Sequence, residues 1–361
     1  MSKRIALWNP YLDIVGGGEK HAFQLCDYFI KKGYELTIFW DVDLRKQLEE
    51  KLRLKLPEHI TWLPKLTTYS ALQKMSVLRN FDVLVYVTDG SYFFSTAKQT
   101  LAFCMVPERK LYRMTAKNKF RTFRWKWICN SQFTQQYLEN WGIDAKVIYP
   151  IVSITPSKPR KTQSGTTLTF LSVGRFFTHL HSKRHDAAVA WFVSFITAHP
   201  AYAGSKLVLV GGLKKEDQKY FDSLRKFTIN HPNVIFKPNV PSHELESWYL
   251  RADYYLHFAG WQVNESAHPE RTEHLGITPL EAMAYGSIPF CYKSGGIREV
   301  VNDGENGFTF RSLEELSQKV IKVNRDPQWQ ARLREAGAKT VVDTFSDVAF
   351  EKTMSDVFPT D

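Results

Sequence analysis

Two glutamates, Glu273 and Glu281, stand eight residues apart where a loop is predicted to enter a helix. Thr278 has the side chain of an N-cap residue, and Glu281, three positions later, would complete a capping box. Glu273 precedes the helix, where a carboxylate can face a ligand. Backbone amides at a helix N-terminus bind anions. The amides expected there belong to Gly276, Ile277 and Thr278, so the segment predicts a phosphate site beside a carboxylate.

Three consecutive glycines, Gly16, Gly17 and Gly18, follow the first predicted strand and open a helix. Without Cβ atoms, such a loop lets the backbone approach a ligand closely. A dinucleotide-binding fingerprint would need another glycine at position 21, where this chain has His21. Asp41 nevertheless follows the second strand, as a ribose-binding acid would. NAD binding therefore stays open as an alternative, beside a plain flexible loop.

Short apolar runs alternate with segments of helix length along the whole chain, a pattern typical of parallel sheets covered by helices on both faces. In the first half the predicted strands are Ile5–Trp8, Leu36–Trp40, Val83–Val87, Leu101–Cys104, Trp127–Asn130 and Val147–Tyr149. In the second half they are Leu168–Val173, Lys206–Val210, Val234–Lys237, Tyr254–Phe258, Ile288–Tyr292 and Gly307–Phe310. The sequence therefore predicts an α/β protein with two doubly wound, Rossmann-like domains, which bind ligands at the carboxyl ends of their strands.

The boundary between the two domains is predicted at a polar segment. Residues 154–167 are rich in Pro, Ser, Thr and Lys and hold almost nothing apolar to bury, which indicates a linker. We therefore predict an N-terminal domain at 1–153 and a C-terminal domain at 168–345. Residues 346–361 would form a helix that packs back on the N-terminal domain.

The chain is basic, and its charge is uneven. Residues 1–150 carry 23 Lys and Arg against 14 Asp and Glu, which favours an anionic partner for the first domain. The stretch Arg109–Lys126 holds eight basic residues and no acidic one. Its basic residues recur every three or four positions beside aromatic ones, which predicts one helix suited to an anionic membrane surface. RNA binding and a plain solvated helix face are the alternatives.

No apolar run is long enough to span a bilayer, and no cleavage site follows the N-terminus, so we predict a cytoplasmic protein with peripheral association to the inner face of a membrane as an option. The four cysteines are scattered, and the histidines form no metal-ligand pattern. No metal site and no bound cofactor are expected.

The two glutamates, the glycine at the junction, the helix E-A-M-A-x-G and the later Ser-Gly-Gly triplet resemble the retaining glycosyltransferases of family 4. That family has the GT-B fold, in which two Rossmann-like domains face each other across a cleft. The resemblance implies that Glu281 binds the ribose of a nucleotide donor and that Glu273 contacts the donor sugar. The amides of Gly276, Ile277 and Thr278 would meet the diphosphate or the sugar.

The resemblance spans almost all of the predicted C-terminal domain. It implies that Arg175 and Lys183 neutralise the donor diphosphate, and Arg184 is the alternative to Lys183. This pair is chemically reasonable, because a guanidinium group can bind phosphate through two nitrogens and a lysine supplies a flexible point charge. Further matching pieces are LVLVGG, which ends at Gly212, and NVIFKPNVP, which contains Asn239 and Val240. These three residues are therefore predicted to line the donor site.

The resemblance is weaker in the predicted N-terminal domain. Gly17 and Gly18 are the candidates for the acceptor side of the cleft. Many relatives also have a histidine near the acceptor, but the comparable run here, Phe103–Glu108, contains none. Asp89 is proposed in its place, and an ordinary turn aspartate is the competing interpretation.

The combined prediction is a metal-independent, retaining hexosyltransferase. It would move a sugar from a nucleotide-diphosphate donor to a glycan or glycolipid acceptor, as in polysaccharide or lipopolysaccharide biosynthesis. One alternative is an NAD-dependent oxidoreductase that uses Gly16–Gly18 and Asp41. The other is a noncatalytic basic protein that binds RNA or glycolipid, although no nucleic acid is expected as a partner in the main interpretation.

Overall fold

The computed structural model describes residues 2–52, 54–152, 165–179 and 182–358. The chain divides into two compact units, one formed by Met1–Ile151 with Asp347–Asp361 and the other by Val152–Ser346. The predicted linker 154–167 lies outside the described residues except for positions 165–167.

The first unit is built on a parallel sheet. Its described strands are β1 (Arg4–Trp8), β2 (Glu35–Phe39), β3 (Ile60–Leu63), β4 (Val83–Val87), β5 (Gln99–Cys104), β6 (Trp125–Cys129) and β7 (Ala145–Val147). They lie in the order β3-β2-β1-β4-β5-β6-β7, with every pairing parallel. Strand β3 was not predicted, because it lies at the edge of the sheet and buries few of its side chains.

Helices connect these strands. They are α1 (Gly17–Ile30), α2 (Arg45–Leu52), α3 (Ala71–Leu78), α4 (Ala116–Thr122) and α5 (Gln132–Asn140). Helix α1 begins at the glycine run, where the Glu19 carboxylate accepts a hydrogen bond of 2.7 Å from the Gly16 amide. This return contact from the first turn satisfies an amide that would otherwise lack a partner.

The predicted basic helix over Arg109–Lys126 is wrong. The segment forms a short 3-10 turn at Arg109–Leu111, then helix α4, and then enters strand β6 at Trp125. Thr115 caps α4 by accepting a hydrogen bond from the amide of Asn118. Burial explains the early end of the helix, because Trp125 packs in the core while Lys126 points outward, which is the alternation of a strand.

The second unit has a parallel sheet of the same type. Its described strands are β8 (Thr169–Val173), β9 (Lys206–Gly211), β10 (Val234–Pro238), β11 (Tyr254–His257), β12 (Ile288–Tyr292) and β13 (Phe308–Phe310). Their order is β10-β9-β8-β11-β12-β13. Each strand coincides with a predicted apolar run to within one residue at either end, because central parallel strands are buried on both faces.

The helices of the second unit cover this sheet. They are α6 (His185–Ala198), α7 (Gln218–Phe227), α8 (Ser242–Arg251), α9 (Ile277–Ala284), α10 (Ile297–Val300), α11 (Leu313–Asn324) and α12 (Pro327–Phe345). Both faces are packed, one against aromatic residues of α6 that include Trp191 and Phe192 and the other against Tyr249 of α8.

A last helix, α13 (Asp347–Val357), groups with the first unit. Its buried residues Phe350 and Met354 belong to the same apolar cluster as Leu25 and Phe29 of α1. The hydroxyl groups of Tyr28 and Ser355 lie 3.2 Å apart. The first unit is therefore completed by residues from the far end of the described chain.

Candidate functional site

The carboxyl ends of four neighbouring strands in the second unit carry most of the predicted site residues. Arg175 follows β8, Gly212 follows β9 and Asn239 follows β10. Strand β11 ends at His257, which was not among the predicted site residues. Because the strands are parallel, these ends meet at one edge of the sheet.

Glu273 is buried at this edge between two nitrogen donors. Its Oε2 atom accepts a hydrogen bond from Nζ of Lys183 and lies 2.7 Å from Nε2 of His257. The side chains of Lys183 and Glu273 are only 14% and 10% exposed. A carboxylate so far removed from water is stabilised by such charge-assisted contacts. Glu273 and Lys183, which are both predicted site residues, thus lie in contact, and His257 joins them.

Helix α9 starts one turn after Glu273, but not with the predicted capping box. The N-cap is Gly276, with φ 108° and ψ 57°, a left-handed conformation that favours glycine. The hydroxyl of Thr278 instead lies 2.7 Å from the hydroxyl of buried Tyr255. Ile277 and Thr278 form the first turn, so their amides lie at the helix N-terminus as expected.

Glu281 does not have the predicted capping role either. Its Oε2 accepts a hydrogen bond of 2.8 Å from the hydroxyl of Tyr249, on helix α8. Burial, and then the nearby Glu281 charge, raise the pKa of Tyr249 well above its ordinary value, so the phenol keeps its proton. Tyr249 is therefore a fixed donor that orients one oxygen of Glu281.

The two basic candidates next to each other, Lys183 and Arg184, have different partners. The stem of Lys183 passes directly over Gly174, where any Cβ would overlap its Cγ. Arg184 turns to Asp186, with a 2.9 Å contact from Nη2 to Oδ2, and to the carbonyl of Trp261. The structure thus puts Lys183, and not Arg184, beside Glu273.

The remaining predicted donor residues belong to three linked loops. The stem of Arg175 lies beside Gly212, whose carbonyl accepts a hydrogen bond of 2.9 Å from the amide of Phe176. Asn239 adopts φ 54°, and its side chain binds the backbone amide and carbonyl of Leu213 at 2.9 and 3.0 Å. Val240 packs against the apolar cluster that contains Tyr249. The side-chain amide of Asn239 is therefore used within the protein.

A glycine pair holds the Glu273 loop from the other side. The Gly296 amide donates to the carbonyl of Glu273 at 2.8 Å, and a Cβ at Gly295 would overlap that same carbonyl. Glu265 fixes the glycine loop by accepting from the amide of Gly295 at 2.7 Å and from both terminal nitrogens of Arg298. The Ser-Gly-Gly triplet thus serves close packing around Glu273.

The predicted acceptor-side residues lie in the first unit. Gly18 packs against Met105, which follows β5, and a Cβ there would require the Met105 side chain to shift. Gly17 is the first residue of α1. The carboxylate of Asp89 accepts from the hydroxyl of Tyr86 and from the amide of Ser91 at 2.9 Å. This geometry is that of a turn aspartate, the simpler of the two interpretations given above.

Asp41, the residue needed by the NAD alternative, is bound within the first unit. Its Oδ1 accepts a hydrogen bond of 2.9 Å from the Lys65 amide, and its Oδ2 lies 3.6 Å from Nζ of the same lysine. Position 21, where a dinucleotide site would need a glycine, holds the ring of His21, buried against Phe103. Both features therefore have a structural role that needs no nucleotide.

Across the described ranges, no group of three or more His, Cys, Asp or Glu residues is arranged to hold a metal ion. None of the helices in those ranges combines the length and apolar character needed to cross a bilayer.

Residues 154–340, more than half of the chain, match the sequence model of the family described as glycosyl transferases group 1. The chain belongs to this family. The match covers Arg175, Lys183, Glu273 and helix α9, so the residues of the candidate site lie within the part that defines the family.

Sequence identity to individual relatives is low. The chain is 27% identical over 245 residues to the human GDP-Man:Man(3)GlcNAc(2)-PP-Dol alpha-1,2-mannosyltransferase, which covers 63% of this chain and 46% of that protein. The chain thus spans less than half the length of this relative.

Solved structures resemble the whole chain. HepE from Anabaena, crystallised with UDP and glucose, has a TM-score of 0.68 at 17% identity and covers all of both chains. A glycosyltransferase from Rickettsia africae has a TM-score of 0.71 at 16% identity, again over all of both chains. Together with the two parallel sheets, these similarities confirm the predicted α/β, GT-B fold.

Proposed function

We propose that this group 1 glycosyl transferase is a retaining, metal-independent hexosyltransferase that takes its sugar from a nucleotide-diphosphate donor bound to the second unit. The observation that carries the proposal is the cluster of Glu273, Lys183 and His257 next to the N-terminus of α9. Glu281 lies one turn further along the same helix. In this proposal Glu273 contacts the sugar, Lys183 and the α9 amides bind the diphosphate, and Glu281 binds the ribose.

The charges of the site fit the chemistry of transfer. The bond between the anomeric carbon and the diphosphate oxygen breaks, and the acceptor oxygen forms the new bond to that carbon. The acceptor proton passes to the leaving phosphate, on the same face of the sugar. Arg175, Lys183 and the amides of Ile277 and Thr278 would stabilise the negative charge that develops on the diphosphate. Because these groups supply the positive charge, no divalent metal is needed.

The acceptor is proposed to be a glycan or a lipid-linked glycan. One support is the human relative, whose name describes transfer of mannose to a dolichol-linked oligosaccharide. A second support is the basic character of residues 1–150, which suits an acceptor that bears phosphate. Polysaccharide or lipopolysaccharide biosynthesis is the corresponding process.

The test is the release of nucleoside diphosphate from a panel of UDP-, GDP- and ADP-sugars, with and without EDTA. We expect release from one donor, unchanged by EDTA and lost in the Glu281→Ala variant. If no donor is turned over and none raises the melting temperature, the proposed function is wrong. If EDTA abolishes release, metal independence is wrong.

Replacing Tyr249 by Phe should weaken donor binding selectively. The change removes the hydroxyl that donates to Glu281, and a hydrogen bond to a charged group contributes about 1.5 kcal/mol or more. We expect the KM for the donor to rise about 10-fold while kcat stays nearly constant, which steady-state kinetics would measure. The matched control is Tyr254→Phe, which removes a buried hydroxyl bound to Asn324 instead. An equal rise in KM for both variants would contradict a specific role for Tyr249.

We also propose that the first unit binds an anionic membrane surface through exposed aromatic and basic residues of the Arg109–Lys126 segment. The side chains of Phe120 and Phe123 are 67% and 71% exposed, with their rings stacked 6.4 Å apart. Phe94 packs edge-on against Phe120. Rings of this kind insert at the headgroup level of a bilayer, beside basic residues that attract anionic lipids.

The double variant Phe120→Ser/Phe123→Ser tests this membrane proposal. We expect its partitioning onto vesicles of phosphatidylglycerol and phosphatidylcholine to fall at least ~10-fold, because each buried ring contributes about 1.5–3 kcal/mol. Vesicle co-sedimentation measures the change. Phe227→Ser/Ile229→Ser is the matched control, because these side chains of the second unit are 59% and 78% exposed. Equal binding of the two double variants would refute the assignment.

A further inference from the structure

His257 and Lys183 share one oxygen of Glu273, but they are held in different ways. His257 is the last residue of strand β11 and is 1% exposed, with its ring beside that of Tyr255. Lys183 lies in the loop before α6 and reaches Glu273 through a long aliphatic stem that crosses Gly174. The histidine is therefore a fixed neighbour of the carboxylate, whereas the lysine can swing about several bonds.

The protonation of His257 suits a hydrogen-bond donor. Burial lowers the pKa of His257, so the ring is neutral at neutral pH. A carboxylate only accepts hydrogen bonds, so the single ring proton lies on Nε2 and points to Glu273. The contact of 2.7 Å needs no charge on the ring.

Lys183 has a second task under the proposed function, on which this inference rests. A donor diphosphate needs the lysine, but departure of the lysine would remove the cation from a carboxylate that is only 10% exposed. A buried carboxylate that loses its partner is strongly destabilised. Because each additional donor lowers this cost, Glu273 would hold Lys183 back from the diphosphate more strongly if His257 did not also donate to it.

We propose that His257 is a positioning residue that keeps Glu273 hydrogen-bonded when Lys183 turns from Glu273 to the diphosphate of the donor. His257 acts through Lys183 and Glu273 and does not itself contact the donor. His257 therefore determines how strongly Lys183 can contribute to the affinity for the diphosphate.

The test measures binding of inorganic pyrophosphate to the full chain by calorimetry. In His257→Gln the side-chain amide can still donate to Glu273, so we expect affinity within about 3-fold of the wild type. In His257→Leu the donor is lost, and we expect binding at least about 10-fold weaker, the size of coupling found between contacting residues. Equal pyrophosphate affinity of the Gln and Leu variants would overturn the inference. His257→Asn, whose shorter amide falls short of Glu273, replaces the Leu variant if the latter does not fold.

A double-mutant cycle separates this role from a general loss of structure. In a Lys183→Ala background no lysine can be held back, so His257→Leu should change pyrophosphate affinity less than about 3-fold. An undiminished loss in that background would show that His257 acts through the fold alone and would overturn the inference. The donor panel described above decides the proposed function separately, because pyrophosphate binding requires no sugar transfer.

Discussion

Replacing Glu273 by Gln is expected to lower the release of nucleoside diphosphate about 100- to 1,000-fold, the usual effect of removing a group that acts on charge in the transition state. Glutamine keeps the shape of the side chain, and its amide oxygen can take the place of Oε2, which contacts both Lys183 and His257. It carries no negative charge, so the ion pair with Lys183 and the charge offered to the donor sugar are lost. Single-turnover kinetics with the preferred donor would measure the loss.

The matched control for Glu273 is Glu305→Gln, in an exposed turn of the same unit. This change also removes one carboxylate but leaves the Glu273 cluster untouched, so turnover should stay within about 2-fold of the wild type, as for most surface substitutions. A Glu273→Gln variant that is folded and retains wild-type turnover would exclude Glu273 from the reaction.

Gly211→Ala is expected to destabilise the second unit strongly. A Cβ on Gly211 would overlap the carbonyl group of Gly174, which is backbone and cannot rotate away. Strands β8 and β9 would have to separate where they lead into Arg175. We expect a loss of about 3 kcal/mol in the free energy of unfolding, at the upper end of overpacking effects. Donor binding should weaken with it, because Arg175 moves.

The neighbouring Gly212→Ala provides the comparison. Here the nearest heavy atom to a Cβ is Cγ of Arg175 at 3.6 Å, an ordinary van der Waals distance. Its melting temperature should therefore stay close to that of the wild type. Thermal unfolding of both variants would measure the difference, and similar melting temperatures would show that the loops relax more easily than the close contact indicates.

The sequence could predict the sheets and the main charged residues of the site. Buried parallel strands leave long apolar runs, and polar residues directly after such runs must meet at one edge of the sheet. Arg175 follows such a run, whereas Lys183, Glu273 and Glu281 were identified from motif spacing and the family resemblance. Their individual roles in binding and catalysis stay predictions until the variants are measured.

His257 and Tyr249 were missed for a physical reason. His257 fell inside the predicted strand Tyr254–Phe258, where a histidine is usually taken as a packed core residue, although a polar side chain at the end of a strand was a usable signal. Tyr249 lies on helix α8 and donates a hydrogen bond to Glu281 of helix α9, which is 32 positions away in the sequence. Contacts of this range depend on tertiary packing, which local patterns do not encode.

The two wrong local predictions have one cause. Thr278 with Glu281 has the spacing of a capping box, and the basic residues of Arg109–Lys126 have the spacing of a helix face. In both cases a tertiary contact overrides the local preference. Thr278 is hydrogen-bonded to Tyr255 and Glu281 to Tyr249. Trp125 is buried in the core. Local propensity is worth less than these buried interactions.

The position of helix α13 has a consequence for how the chain folds during its synthesis. The apolar cluster of the first unit includes Phe350 and Met354, which leave the ribosome only after the whole of Val152–Ser346 has been made. At about 5–20 residues per second, the nascent first unit waits on the order of ten seconds or more with part of its apolar surface uncovered. The second unit is continuous in sequence and can complete its core first, so the C-terminal half of this chain is expected to mature ahead of the N-terminal half.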